Sequence, residues 1–480
     1  MLSRFKLLLI IGAMLFLLPP GYAKGVSPYL PKDVSPILEN EVERLATVSG
    51  IPNLTKPYSL ATIFFYMEKI RDSHPRLYSR LNLSLKSYAR HFALTHASAG
   101  VRVSDDDQTM VNAHGRRTNS HGYATLRGQW QVADWLGVYL GVDATEYEDE
   151  NLDGHYPATG STLSIGVDWA QLDLGYKDIW LSPFHGSAQL LSTNAEPMLS
   201  LSLSNNLPIE FLGVNWSYQG FLSQMSRQLV LYQGEESDKD KPLLAGFHLS
   251  MQPTPWWTLG ASRVFQFGGG ERPVSAGTLA RAFVDPRGSD NDASVDEESG
   301  NQIASVSSKI NFDGDIPFSF ALELAGEDTS NNKSYQLGNT ALTAGLYFPY
   351  FMSDNISFTF EYSDWQSAWY TNNVYNKGYV HEGFVLGHWA MQIQRELDIA
   401  VEGTSYFAKT QWQRANDHVV IATVRTAKHQ DTGIYDFDER WEMELDYVFP
   451  WRKRVVTVGA YFGSDDFGKA FNQFRVSIEN

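Results

Sequence analysis

Residues 441–449 read "WEMELDYVF". Successive side chains of an extended chain point to opposite faces. Trp441, Met443, Leu445, Tyr447 and Phe449 therefore share one face, and Glu442, Glu444 and Asp446 share the other. The same period of two recurs in "LSLSLS" at 199–204, where three leucines oppose three serines. It recurs again in "ISFTFEY", where Ile356, Phe358, Phe360 and Tyr362 oppose Ser357, Thr359 and Glu361. A soluble sheet with one wet face also alternates. Two features favour a membrane barrel: the segments run to about ten residues, and their connections alternate between tight and long.

The tight connections are "ADW" near 133, "NLP" at 206–208, "PTP" at 253–255, "DGDIP" at 313–317 and "PWRK" at 450–453. The long ones fall at 105–118, 147–160, 180–196, 219–242, 268–300, 327–338, 364–395 and 428–438. Short turns at one end and long loops at the other are the rhythm of an outer-membrane barrel. A first count of nineteen segments breaks the even-number rule of bacterial barrels, and treating 379–395 as part of one long outer loop restores it. Strands then run near 396–407 and 417–427, and 428–438 becomes an outer loop. The fold expected is an all-β membrane protein, a closed antiparallel transmembrane β-barrel of about 18 strands. Closure is required because a backbone N–H or C=O in lipid has no water to turn to. By phase, Glu323, Glu361, Glu442, Glu444 and Asp446 face the lumen, either as a cation-selective ring or as acids in the hydrogen-bond networks of a plugged lumen.

The totals agree. The chain has 480 residues, a formal net charge of −17, and 27 Phe, 24 Tyr and 13 Trp. Aromatic girdles at the two membrane interfaces would use those rings. The acidity argues against a nucleic-acid partner, because phosphate binding needs a basic face. With no cysteine, disulfides, thiolate metal sites and cysteine nucleophiles are all excluded. No cofactor is expected.

The N-terminus carries Arg4 and Lys6, an apolar run Leu7–Leu18, Pro19-Pro20, and small residues up to Ala23. It reads as a secretory signal peptide over 1–23, the run being shorter than the ~20 residues of a membrane span. Residues 24–92 read as a small periplasmic helical bundle, with the barrel occupying 93–480. Ser35-Pro36 opens a stripe of Ile37, Leu38, Val42 and Leu45 that Gly50 stops. Leu60, Ile63, Phe64, Met67 and Ile70 form a second stripe. A third runs from Pro75 through Leu77, Leu81, Leu85 and Tyr88.

Four stretches stand out: "FHGSAQLLSTNAEPMLSLSL" at 184–203, "FQFGGGERP" at 265–273, "GNQIASVSSKI" at 300–310 and "YNKGYVHEGFVLGH" at 375–388. In this order, behind a helical N-terminal region, they resemble the Wzi-type capsule-assembly family. The residues that carry the resemblance are Gly186, Ser187, Asn194, Gly268, Gly269, Arg272, Pro273, Asn301, Gln302, Gly387 and His388. Phe267 stands where the family usually has Trp, the tract Asp290–Glu298 is long, and the chain ends at Asn480 rather than on an aromatic. The resemblance implies an outer-membrane barrel lectin that holds capsular or extracellular polysaccharide at the cell surface. Its implied partners are that polysaccharide (a capsule or an exopolysaccharide), outer-membrane lipid and polysaccharide-export machinery. The alternative is a channel for sugars or acidic oligosaccharides.

Several residues could carry recognition. Arg272, Arg281 and Arg287 suit the carboxylates of an acidic glycan, or salt bridges to neighbours such as Asp285 and Asp290. The run Gly268–Gly270 either folds its loop into the barrel mouth or hinges a solvated loop. The tract Asp285–Ser299 reads as a calcium loop or as a solvated acidic one. Trp369, Tyr370, Tyr375 and Tyr379, with Asn372 and Asn373, offer ring faces and amides to sugars, while Trp365, at a strand end, reads as a girdle residue. His248 with Ser250, and His185 with Ser187, raise a serine-hydrolase reading. Phe247, Leu249 and Met251 take the lipid phase, which turns His248 and Ser250 into the lumen, and no third group is assigned. The reading is therefore non-enzymatic, with no metal.

Overall fold

A computed structural model describes residues 25–32, 34–105, 109–116, 121–146, 157–274, 300–327, 337–414 and 416–480. The expected signal peptide, Arg281, Arg287 and the acidic tract 285–298 lie outside the described residues. Three helices come first: α1 (Pro36–Ser49), α2 (Leu60–Ile70) and α3 (Pro75–Ser84). Pro36 and Pro75 sit in the opening turns, where a missing N–H breaks no helical bond. Gly50 closes α1 in the left-handed region and returns its N–H to the Ala46 carbonyl. The leucine and isoleucine stripes meet in one small core, with Leu45, Ile63 and Leu81 fully buried.

Strands follow from Phe92 onward: β1 (Phe92–Ser104), β2 (Gly122–Ala133), β3 (Leu136–Thr145), β4 (Thr162–Val167), β5 (Ala170–Gly175) and β6 (Leu199–Ser204). Next are β7 (Val214–Gln224), β8 (Leu243–Thr254), β9 (Trp257–Phe267), β10 (Asn301–Phe312), β11 (Phe318–Glu327) and β12 (Thr340–Phe348). The last six are β13 (Ile356–Trp365), β14 (Gly403–Gln413), β15 (Val419–His429), β16 (Arg440–Trp451), β17 (Arg454–Ser464) and β18 (Ala470–Glu479). The short piece Ile209–Phe211 pairs with the foot of β7 and continues β6 along the same neighbour. The sheet is thus a closed barrel of 18 antiparallel staves. β18 returns to β1 from Ser98↔Glu479 to Ser104↔Gln473, which leaves no free edge.

Alternation decides which face meets lipid. Leu199, Leu201 and Leu203 are 41–44% exposed, whereas Ser200, Ser202 and Ser204 are buried. The acids expected by phase lie inside, Glu444 half-buried and Glu323, Glu361, Glu442 and Asp446 buried, and each is engaged. Arg440 binds Glu442 at 2.5 Å, and Arg475 bridges Glu444 (2.5 Å) and Asp446 (2.6 Å). A Glu442–Asp446 cation-selective ring is not what the staves build. No helix among the described residues is long and apolar enough to cross a membrane.

Three expectations need correction. β14 starts at Gly403, not near 396, because residues 392–397 form a short helix, α4 (Gln392–Leu397). β7 runs to Gln224, so its following loop is shorter than 219–242. Trp365 is not a girdle residue. It shares parity with Ser357, Thr359, Glu361 and Ser363, faces inward and is 1% exposed.

Candidate functional site

The connection after β5 does not stay outside. Residues 177–195 are almost entirely buried and run down the lumen. Their apolar side chains, among them Ile179, Leu181, Leu190 and Leu191, join the largest core. A buried backbone must still find partners, and the staves supply them. Glu361 accepts from the N–H groups of His185 (2.6 Å) and Gly186 (2.9 Å), Ser182 donates to Glu323 (2.8 Å), and Gln189 donates to Thr343 (3.0 Å). Gly186 is required sterically, since a Cβ there would lie 2.4 Å from the Phe407 ring.

The helical layer meets this segment from the short-turn end. Lys56 and Trp180 exchange backbone hydrogen bonds (3.0 and 2.9 Å). Glu43 of α1 lies 2.7 Å from Lys56 Nζ and 3.1 Å from His185 Nε2. Burial alone would raise the Glu43 carboxyl, but Lys56, then His185, hold it well below the usual carboxylate range. Asn40 accepts from Tyr347 and Ser357, and Thr47 meets Ser319. Helices from one end and chain from the other fill the lumen.

Above this plug lies the segment 366–402. Tyr370 has φ +62°. Its N–H donates to Glu327 (2.7 Å), and that carboxylate also accepts from Asn301 (2.8 Å). Its hydroxyl donates to the Gln189 carbonyl (2.5 Å) and accepts from the His388 N–H (2.8 Å). Gly387 lets this hydroxyl close, since a Cβ would lie 2.0 Å from it. His388 caps a single 3₁₀ turn, Trp389–Met391, by accepting from the Ala390 N–H, and its other nitrogen meets Ser405. Burial, with His429 beside it, pushes the His388 imidazole down to about 3.

Two open cavities flank α4 at the long-loop end. One, of about 300 Å³, is lined by Asn372, Asn376, Lys377, Gln394, Arg395 and Asp398 over a wall of Trp369, Tyr370, Tyr375 and Tyr379. The other, of about 250 Å³, is lined by Asn194, Trp389, Gln392, Arg440, Asp465 and Asp466. Glu396 borders both. Asp466 also holds His429 (3.1 Å) and Arg440 (3.3 Å). These amide, guanidinium and carboxylate edges can exchange hydrogen bonds with hydroxyls.

A family model described as "Capsule assembly protein Wzi" matches residues 94–467. The chain belongs to the Wzi capsule-assembly family. It is also 28% identical over 207 residues to an uncharacterised 55.8 kDa protein of the cps region of Klebsiella pneumoniae, a match covering 41% of this chain and 38% of that one. The chain thus spans well under half the length of that curated relative. Among solved structures it resembles Wzi of Escherichia coli, described as an outer-membrane protein involved in group 1 capsule assembly and a carbohydrate-binding β-barrel. Identity is 17%, coverage 95% of this chain and 99% of that one, and the TM-score 0.69. That likeness concerns the fold. Like the family, this chain is an outer-membrane barrel.

Several of the residues that carry the resemblance hold the plug and the segment 366–402 above it, the cap. Asn194 donates to the Val385 carbonyl and accepts from the Asn112 N–H, and Ser187 faces Ser363. Gln302 accepts from Arg263. Gly268, Gly269 and Gly270 all have positive φ (+67°, +83°, +60°); Gly269 packs on Pro242 and Gly270 on Val230 and Ser237, with the Gly270 N–H donating to the Asp240 carbonyl. Arg272 donates to the Leu231 carbonyl and stands over the Tyr232 ring, next to exposed Pro273. The glycine run therefore opens as ordered cap; its continuation at 275–299 lies outside the described residues.

The candidate aromatics differ from expectation. Trp369, Tyr370, Tyr375 and Tyr379 are at most 5% exposed, so they form the cavity wall and leave no free ring face. Tyr375 reaches the Gly268 carbonyl, and Tyr370 packs on Tyr379 at 5.4 Å. Asn372 is half-buried at the rim. Missed in the sequence were Lys377, Gln394, Arg395, Glu396 and Asp398, because the six-residue α4 is too short to show a helical period inside a loop. His248, Ser250 and Ser187 are buried, and His185 is half-buried. His248 sits between Ser250 (2.5 Å) and Ser262 (2.7 Å) in the lumen wall, and His185 is held by Glu43 and Glu361 rather than Ser187.

Proposed function

We propose that this chain binds capsular or extracellular polysaccharide and anchors or organises it at the cell surface. The carrying observation is the pair of open, polar-rimmed cavities on either side of α4, built above a lumen filled from both ends. Outer-membrane barrels keep short turns in the periplasm and long loops outside, so the cavities face the medium and the helical layer faces the periplasm. Outer-membrane lipid solvates the leucine and aromatic band. Asn372, Lys377, Gln394 and Arg395 supply hydrogen bonds to glycan hydroxyls or carboxylates, and the buried tyrosines and Trp369 hold that rim in place. Sugar sites of this kind gain from preorganisation, which the plug and the Glu327–Tyr370 link provide.

The test is binding of the producing strain's own polysaccharide to the purified barrel in detergent. Asn372→Ala with Lys377→Ala should weaken saturable binding about tenfold, the order expected for two lost polar contacts. Unchanged binding sinks the assignment of the site. Ion conductance of the order of an open porin in a planar bilayer would favour the channel reading, which the filled lumen opposes.

A further inference from the structure

The exposed face of the helical layer has the opposite electrostatic character to the rest of the molecule. Residues 68–90 hold six lysines and arginines against two acids, in a chain of net charge −17. Arg71 pairs with Glu68, and Arg80 with Glu41. Lys69 is exposed and feels the Glu210 carboxylate, while Arg76, Lys86 and Arg90 are exposed and form no ion pair among the described residues. The layer crosses the floor of the barrel. Thr62 of α2 donates to the Asn206 carbonyl beside β6. Beyond α3, Gln129 of β2 donates to the carbonyls of Tyr88 and Arg90. The basic stretch therefore follows α2 and α3 on the short-turn side, from beside β6 to the entry of β1.

We infer that this face is a docking surface for an acidic, carboxylate-bearing polysaccharide on the periplasmic side, distinct from the outer cavities. The inference rests on the proposed polysaccharide binding and on the orientation given with it. Charge complementarity calls for an anion. A protein partner would want an apolar, lysine-poor centre. Here the exposed large apolar side chains are Phe65 and Leu83, and Phe65 lies under Lys69 Nζ at 4.4 Å. Exposed hydroxyls and amides, Ser79, Asn82 and Ser84, lie between the cations. Dispersed charges interleaved with hydrogen-bonding groups suit a flexible linear polyanion.

The probe is polygalacturonate, added to the purified full chain in detergent, with neutral dextran as control. Saturable binding that weakens with added salt is expected, and no binding of dextran. A variant carrying Arg76→Gln, Lys86→Gln and Arg90→Gln should bind about tenfold more weakly, the order that three exposed ion pairs supply together. Heat-modifiable gel migration checks that it folds. Should it not fold, Lys86→Gln alone is measured and should show a loss of about twofold. Equal binding by wild type and variant, equal binding of dextran, or no binding by the wild type overturns the proposal. So does a loss of binding to phosphatidylglycerol nanodiscs with polygalacturonate binding retained, which would assign the face to lipid. Polysaccharide retention on intact cells reports only the outer cavities. A variant of Asn372 and Lys377 that fails there yet still binds polygalacturonate when purified separates the two sites.

Discussion

Replacing Glu361 with alanine should release the lumenal segment while leaving the barrel standing. The Glu361 carboxylate lies on β13 and accepts two backbone bonds, from His185 (2.6 Å) and Gly186 (2.9 Å), with His185 Nδ1 at 3.4 Å. Hydrogen bonds to a charged group contribute about 1.5–3 kcal/mol each, and stranding a buried donor costs a similar amount. Two buried N–H groups deprived of that carboxylate therefore cost about 3–6 kcal/mol. The loss is local, because the ladder of β13 with β12 and β14 is made by backbone atoms that the substitution does not touch. Hydrogen exchange read by mass spectrometry is the assay. Amides of 181–190 should exchange roughly 10²–10⁴-fold faster than in the wild type, with stave peptides unchanged. Glu361→Gln retains one acceptor oxygen and should show about half the free-energy effect. Unaltered protection of 181–190, or uniform loosening of all staves, would refute the reasoning that this carboxylate pins the plug.

Other expectations follow from the same contacts. Leu201→Lys on the lipid face should destabilise the barrel by about 2–4 kcal/mol near the membrane midplane, whereas Ser202→Ala on the lumen face should cost about 1 kcal/mol; urea unfolding in lipid vesicles compares them. Arg475→Leu leaves Glu444 and Asp446 without their shared cation and should cost about 3–5 kcal/mol, seen as a lower temperature of heat-modifiability. His388 is depressed from 6.5 to about 3. The unfolded cap binds a proton that the folded cap refuses, so cap stability is full above pH 6.5. It falls by up to about 1.4 kcal/mol per pH unit down to about 3. Hydrogen exchange of 385–391 should accelerate over that range, and His388→Gln should flatten the slope. Glu43 is depressed instead by Lys56 and His185. Its contribution is present above the ordinary carboxylate value of 4.5 and declines as pH falls below it. Proteolytic release of α1 at pH 3 but not at pH 6 would register this.

The wall of the barrel was legible in the residues because its physics is local. Lipid outside and polar chain inside impose a period of two on every stave, and "WEMELDYVF" shows it without reference to any other part of the chain. The helices were legible for the same reason, through the Pro36 and Pro75 starts and the Gly50 stop. Trp365 shows how far parity reaches: counted from Ser357 and Glu361 it faces inward, and only its position at a strand end suggested the girdle. Parity does not reach the connections. Nothing periodic in "FHGSAQLLSTN" says that it enters the lumen. That outcome depends on Glu361, Glu323 and Thr343 standing at the right height on distant staves, and on Phe407 leaving room for Gly186. The rim of the cavities is likewise a product of assembly. Tyr370 is aimed by Glu327 and Asn301 from two other staves, which turns rings that look available in sequence into a buried wall and brings Asn372, Lys377 and Arg395 to the opening. Side-chain alternation thus determined the barrel and its lipid face. The plug, the cap and the site were decided by tertiary structure, because long-range hydrogen bonds between segments far apart in the chain leave no local periodic trace.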